Sequence, residues 1–148
     1  MKLKARLANS DDMMLVFNWA NDPLTRQMSF NQEAIPFETH KKWFKDILAK
    51  KWLFIIELDD RSVAQFRIDN AGEISIAVAS EYRGQHLAEP TIKMAVAQAK
   101  KVGRDTIFAH IKPENTVSIR AFEKAGFIYI KDTTIKGNTC KEYVYRLK

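Results

Sequence analysis

The sequence predicts an α/β chain of the α+β kind: a mixed central β-sheet of about seven strands with about four helices on both faces. Three observations predict it. Residues 52–79 read as three short apolar runs separated by "DDRS" and "NAG", the pattern of an antiparallel meander. Segments with apolar residues at helical spacing lie before and after those runs. The third run, a long helical segment and "TIFAHI" then follow one another as a strand–helix–strand unit. Its crossover should be right-handed, and its strands parallel or locally splayed. A chain of 148 residues, 46% of them hydrophobic, suits a single domain over residues 1–148.

The elements follow in order. "LKARLA" alternates Leu3, Ala5 and Leu7, so it reads as a strand. Ser10 offers a helix cap, and Asp11 and Asp12 suit a first turn. That helix carries Met14, Val16, Phe17 and Trp19, and it stops at "NDP", where Pro23 disfavours helical geometry at Asp22. Residues 21–36 read as a polar, irregular link. A second helix follows Pro36, with Phe37, His40, Phe44, Ile47 and Leu48 at helical spacing. "WLFIIEL", "VAQFRID" and "EISIAVA" are the meander. A long helix over about 86–102 ends at Gly103. "TIFAHI" is a strand, "NTVSIRAFEKAG" a helix stopped by Gly126, and "FIYIKDT" and "TCKEYVYRL" pair across "KGN".

Composition removes several classes of function. A single cysteine, Cys140, leaves no internal disulfide and no cysteine-based metal cluster, and no metal is expected. No apolar run reaches the length of a membrane span. "MKLKARLANSDD" lacks a signal-peptide core, so the simplest compartment is the cytoplasm. A net charge of +6 favours anionic partners, such as a phosphorylated cofactor or a nucleotide-linked substrate. The lysine pairs 41–42, 50–51 and 100–101 read as solvated helix ends, and basic residues are not interleaved with aromatics, so no nucleic-acid partner is expected.

"EYRGQHLAEP" places a glycine between a strand and a helix. Such a turn presents free backbone N–H groups at the positive end of a helix dipole, which makes an anion site. Gly84 would let the backbone approach the anion closely. An ordinary strand-to-helix turn has the same local sequence. The wider context decides. "AVASEYRGQHLA" and, about thirty residues on, "NTVSIRAFEKAGF" together resemble the GNAT acetyltransferase superfamily. In that superfamily the strand–loop–helix carries an Arg/Gln-x-x-Gly-x-Gly/Ala motif around the pyrophosphate of acetyl-coenzyme A. Arg83, Gly84, Gln85, His86, Leu87 and Ala88 stand in that register. Asn115, Gly126 and Phe127 match the second half of the pattern. His86 replaces the usual second glycine, and Phe122 stands where many members have a tyrosine thought to protonate the leaving thiolate.

The resemblance implies an acetyl-CoA-dependent N-acetyltransferase with acetyl-CoA as co-substrate. It implies that a backbone N–H near the end of the third meander strand polarises the thioester carbonyl, with Val78 first and Ile76 one pleat earlier. Arg83 would neutralise phosphate, Asn115 would hold the pantetheine arm or cap its helix, and Ser118 would touch the cofactor or pack the first turn. His110 lies five residues before Asn115, the offset at which ribosomal-protein acetyltransferases carry a glutamate facing the amine. It is the first candidate for the general base, and Glu73 is the second.

The N-terminal half usually forms the acceptor pocket in this superfamily. Trp19, Asn21, Arg26 and His40, with Ile35, Trp43 and Phe44, look similar to enzymes that acetylate the 4-amino group of nucleotide-linked deoxy-amino sugars in pseudaminic-acid and related pathways. Arg26 would grip a diphosphate and an aromatic would stack on a ring. The plainer reading of Trp19, Trp43 and Phe44 is core, and that of His40 a helix-surface residue. Two alternatives stay open: a ribosomal-protein-type N-terminal acetyltransferase, and a non-catalytic acyl-CoA-binding domain. A homodimer is open as the assembly.

Overall fold

The computed structural model describes residues 2–148. Its elements run β1 (Leu3–Leu7), α1 (Met13–Ala20), α2 (Pro23–Met28), α3 (Phe37–Lys50), β2 (Leu53–Leu58), β3 (Arg61–Ile68), β4 (Ile74–Val78), α4 (Ala88–Lys101), β5 (Thr106–Ile111), α5 (Thr116–Lys124), β6 (Ile128–Ile135) and β7 (Asn138–Arg146). Seven strands were expected and seven form. They make two antiparallel sheets, a four-stranded one in the order β1-β2-β3-β4 and a three-stranded one in the order β5-β7-β6.

Turn chemistry sets the hairpins. Leu58 pairs with Arg61 and Ile135 with Asn138, so each loop has two residues. Both residues of each loop take positive φ: Asp59 and Asp60 in one, Lys136 and Gly137 in the other. That geometry matches the right-handed twist of the flanking strands. Helices α4 and α5 end as their glycines predict. The Gly126 N–H donates to Glu123 O and the Phe127 N–H to Phe122 O, which satisfies the last carbonyls of α5.

Two local expectations need correction. The helix start is capped by Asn9, not Ser10. Asn9 and Asp12 cap one another's backbone in a reciprocal box, and residues 10–12 form a 3₁₀ turn before α1. Asp12 is buried there and takes both ends of the Arg6 guanidinium at 2.8 Å, so its carboxyl lies below the usual range, with burial opposing the shift. The link over residues 21–36 is not wholly irregular. Pro23, which ends α1, also starts α2 at its first position, with Asp22 as the cap.

Helices cover both faces. On one, Ile92, Ala95 and Ala99 of α4 and Ala121 and Phe122 of α5 pack on Phe66, Ile74, Ile107 and Ala109. On the other, Val16 and Trp19 of α1 and Phe44 and Ile47 of α3 pack on Leu53 and Ile55. No helix among the described residues is long and apolar enough to cross a membrane.

The two sheets meet at a single parallel bridge, Glu73 to Phe108, where the Phe108 N–H donates to Gly72 O at 3.0 Å. Beyond it β4 and β5 diverge. The seam between them positions everything that follows.

Candidate active site

Hydrogen-bond parity shows what the seam exposes. The Ala79 N–H donates to Val63 O, and Glu73 O accepts from the Asp69 N–H. The odd-numbered residues of β4 therefore turn their backbone groups to β3, and the N–H and C=O of Ile76 and Val78 point into the gap toward β5. These are the two residues whose amides the sequence put forward for a carbonyl.

The loop over residues 83–88 lies where β4 gives way to α4. Among the described residues, no acceptor meets the N–H of residues 84–88, and no side chain caps α4 at Leu87. Five successive free N–H groups at a 14-residue helix make an anion cradle. Gly84 and His86 both have positive φ, 80° and 58°. His86 thus holds the backbone shape that a glycine would take, at a cost of about 1–2 kcal/mol for a non-glycine residue. The group expected here, a pyrophosphate, fits such a cradle. The Arg83 side chain is turned elsewhere: it forms an ion pair with Asp22, whose carboxyl it holds below the usual range. Gln85 is exposed, Leu87 is buried, and Ala88 is half-buried.

Across the seam, α5 begins at Asn115, whose Oδ1 accepts from the Ser118 N–H at 3.3 Å. Asn115 is therefore an N-cap in this structure. Ser118 is half-buried one turn into the helix. Phe122 is 2% exposed and packs edge-on against Phe127, so this position supplies no proton donor.

The opposite face of the sheet is polar near the seam. Ile107, Ala109 and Ile111 pack toward α4 and α5, so His110 points the other way. Its Nδ1 lies 3.1 Å from Glu73 Oε2 and its Nε2 lies 3.0 Å from Glu142 Oε1. The two base candidates thus meet, and a third carboxylate joins them. A ring with one N–H can donate to only one of these carboxylates, and both contacts are donor–acceptor pairs only when the ring carries two protons. Nearby, Lys112 is 3% exposed and its Nζ donates to Gln27 O at 3.1 Å. Glu142 was missed because only the register His110 to Glu142 brings it there.

The N-terminal candidates take different positions from those expected. Trp19 is 7% exposed and His40 is 1% exposed, both within the α1–α3 core. His40 Nε2 meets Met13 O at 3.2 Å, with rings of Phe17, Trp43 and Phe44 around it. Burial pulls its pKa down. Neither the helix-surface reading of His40 nor direct contact with an acceptor survives that burial. Arg26 donates to Ala20 O, Asn31 O, Glu33 O and Ser29 Oγ, so its fork is occupied by the loop after α2. Asn21 clamps the same loop, donating to Ile35 O at 3.0 Å and accepting from its N–H at 2.7 Å. Asn21 and Arg26 thus fix the loop over residues 29–36.

The Acetyltransferase (GNAT) domain family matches residues 2–128 of this chain. An uncharacterized protein of Methanocaldococcus jannaschii is 26% identical over 156 residues, covering 99% of this chain and 31% of that protein. The chain thus spans about a third of that relative's length. An N-acetyltransferase structure from Staphylococcus aureus superposes with a TM-score of 0.82 at 21% identity, covering 100% of both chains. A spermidine N-acetyltransferase from Vibrio cholerae, solved with CoA and spermine, gives 0.83 at 18% identity, covering 97% of this chain and 95% of that one.

Proposed function

The chain belongs to the GNAT acetyltransferase family, so it is an acetyl-CoA-dependent N-acetyltransferase domain acting on amines, and on that premise we propose that its acceptor is the 4-amino group of a nucleotide-linked deoxy-amino sugar. The observation that carries the reading is the seam. It has free backbone N–H groups at one mouth and the His110, Glu73 and Glu142 cluster on the opposite face.

Acetyl-CoA supplies an acetyl group activated as a thioester. The N–H groups of residues 84–88 would hold its pyrophosphate. The N–H of Val78, with that of Ile76, would polarise the carbonyl, a role that needs fixed donors in a dry site. Asn115 and Ser118, at the start of α5, would face the pantetheine arm. Glu73 and His110 would take the proton of the amine, directly or through a water, and Glu142 would orient the ring. The +6 charge supports an anionic acceptor over a basic peptide. We place the reaction in the cytoplasm, and a homodimer is tested by sedimentation.

The deciding experiment is an acceptor panel with acetyl-CoA, read as thiol release. Turnover on a nucleotide-linked 4-amino sugar well above that on ribosomal-protein N-terminal peptides is expected. The reverse order would favour the N-terminal acetyltransferase reading, and no turnover on any amine would favour an acyl-CoA-binding domain.

A further inference from the structure

Two polar residues of β3 stand out on the face turned to α1 and α3. Gln65 and Arg67 are two residues apart, paired in register with Ile55 and Leu53 of β2 on one side and with Ala77 and Ser75 of β4 on the other. Both therefore point to the face that carries the His110 cluster. Gln65 Oε1 is buried and meets no hydrogen-bond donor. The Arg67 guanidinium lies 5.3 Å over the Trp43 ring, and its polar contact is Ser75 Oγ at a long 3.5 Å. A guanidinium has five N–H donors, so most of these go unmet.

The nearby carboxylates are committed elsewhere. Asp69 accepts from the Glu73 N–H at 2.9 Å, and Glu73 faces His110. Their charges favour the cation, yet burial outweighs them and pulls the Arg67 pKa down. A buried acceptor without a donor is costly, and a desolvated cation without a bound anion more so. Here the unmet acceptor and a half-buried guanidinium without a bound anion occur side by side, Gln65 paired with small Ala77 and Arg67 with Ser75.

We propose that Arg67 and Gln65 form the anion subsite of the acceptor: Arg67 binds a carboxylate or phosphate of the amine substrate, and Gln65 Oε1 accepts from a hydroxyl or N–H beside it. The inference rests on the amine acetylation proposed above and narrows its substrate to anionic amines. β3 and β5 flank β4, and strands lie about 4.8 Å apart, so the anion sits roughly 5–10 Å from the amine nitrogen. The subsite disfavours polyamines, because a buried guanidinium repels a second cation.

The test uses the full chain with acetyl-CoA and three kinds of amine: a nucleoside-diphosphate-linked 4-amino sugar, a small amino acid, and spermine. The phosphate and carboxylate arms decide which anion is taken. Arg67→Met should lower kcat/KM for the preferred anionic amine by about 30-fold or more, the scale of losing a buried charged partner. It should leave KM for acetyl-CoA unchanged and the unliganded melting temperature equal or higher, because a half-buried cation without a bound anion is gone. A melting temperature lowered together with equal losses on all amines would overturn the proposal and make Arg67 structural. A wild type that prefers spermine would overturn it too. Should Arg67→Met fail to fold, Gln65→Met reads the same question, with a selective rise in KM for the anionic amine expected. Calorimetry of the sugar into coenzyme A-loaded protein separates the two readings. Arg67-dependent binding without turnover supports the subsite and overturns the acetylation. Turnover indifferent to Arg67→Met overturns the subsite alone.

Discussion

Replacing His110 with alanine should damage rate and stability by different routes, and the two can be separated. The ring bridges Glu73, at the root of β4, to Glu142 of β7, at 3.1 and 3.0 Å. It therefore ties the four-stranded sheet to the three-stranded one next to their single bridge. Without it two carboxylates, 32% and 23% exposed, face one another across the vacated space. At a separation on the order of 7 Å and an effective dielectric of about 20, they repel by about 2 kcal/mol, roughly halved by solvent screening at this exposure. The lost hydrogen bond to a carboxylate adds about 2 kcal/mol. The total of about 3 kcal/mol corresponds to about 9 °C for a chain of this length. The rate should fall roughly 10²–10⁴-fold, the scale of a lost general base. Steady-state kinetics well below both melting temperatures measures the first effect, and calorimetric melting the second. Adding Glu142→Gln to the alanine variant should restore part of the stability and none of the rate. An alanine variant within a few-fold of wild-type rate would remove His110 from the chemistry, and an unchanged melting temperature would refute the bridge.

Other outcomes follow from single sites. His86→Gly relieves a left-handed histidine at φ 58° but adds glycine entropy, so melting should rise by up to about 3 °C with coenzyme A affinity unchanged; a lower melting temperature would show the residue unstrained. Gly84→Val should weaken coenzyme A binding about tenfold or more in calorimetry. The added Cβ meets nothing within 4 Å, so the loss comes from the strain at φ +80° and from the blocked cradle. Asp12→Asn should cost about 2–3 kcal/mol at neutral pH. Because Arg6 holds the folded-state pKa of Asp12 below its unfolded value, that stability is present above about pH 4 and fades as pH falls further. Urea melts should show the wild type and variant converging at low pH, and a constant gap would refute the assignment. Cys140 is 0% exposed, and burial raises its thiol pKa, so it should react with Ellman's reagent only on unfolding. Labelling within the mixing time would contradict that burial.

Elements were legible where one local signal decided them. Gly103 and Gly126 marked the ends of α4 and α5, and "KGN" marked the β6–β7 hairpin. Pro23 was read correctly as a stop but not as a start, because a proline at a helix's first position serves both ends. The cradle was legible because it is made of contiguous backbone. The polar face was not. Glu142 reaches His110 only through β5–β7 register, which no local pattern encodes. Gln65 and Arg67 carry no local signal of their own, and only the β3 pairing with β2 puts them on the face turned to α1 and α3. Trp19 and His40 came from a resemblance in pattern, and a pattern does not tell a wall residue from one that touches substrate.

The seam also dictates the order in which a reaction can be assembled. β4 carries Ser75 and Ala77 on the face of the His110 cluster, yet it is hydrogen-bonded along one edge only. A cofactor arm lying against Ile76 and Val78, as proposed above, would act as a substitute strand and stiffen β4 from its unsupported side. Amines arriving earlier meet a platform still free to move. Turnover should therefore be sequential with acetyl-CoA first, and the amine should bind weakly to the empty protein. The signature is a pair of amide protons. Ile76 and Val78 should exchange quickly in the empty protein and slowly with coenzyme A bound, while Ala77 between them, turned toward β3, should be protected in both states.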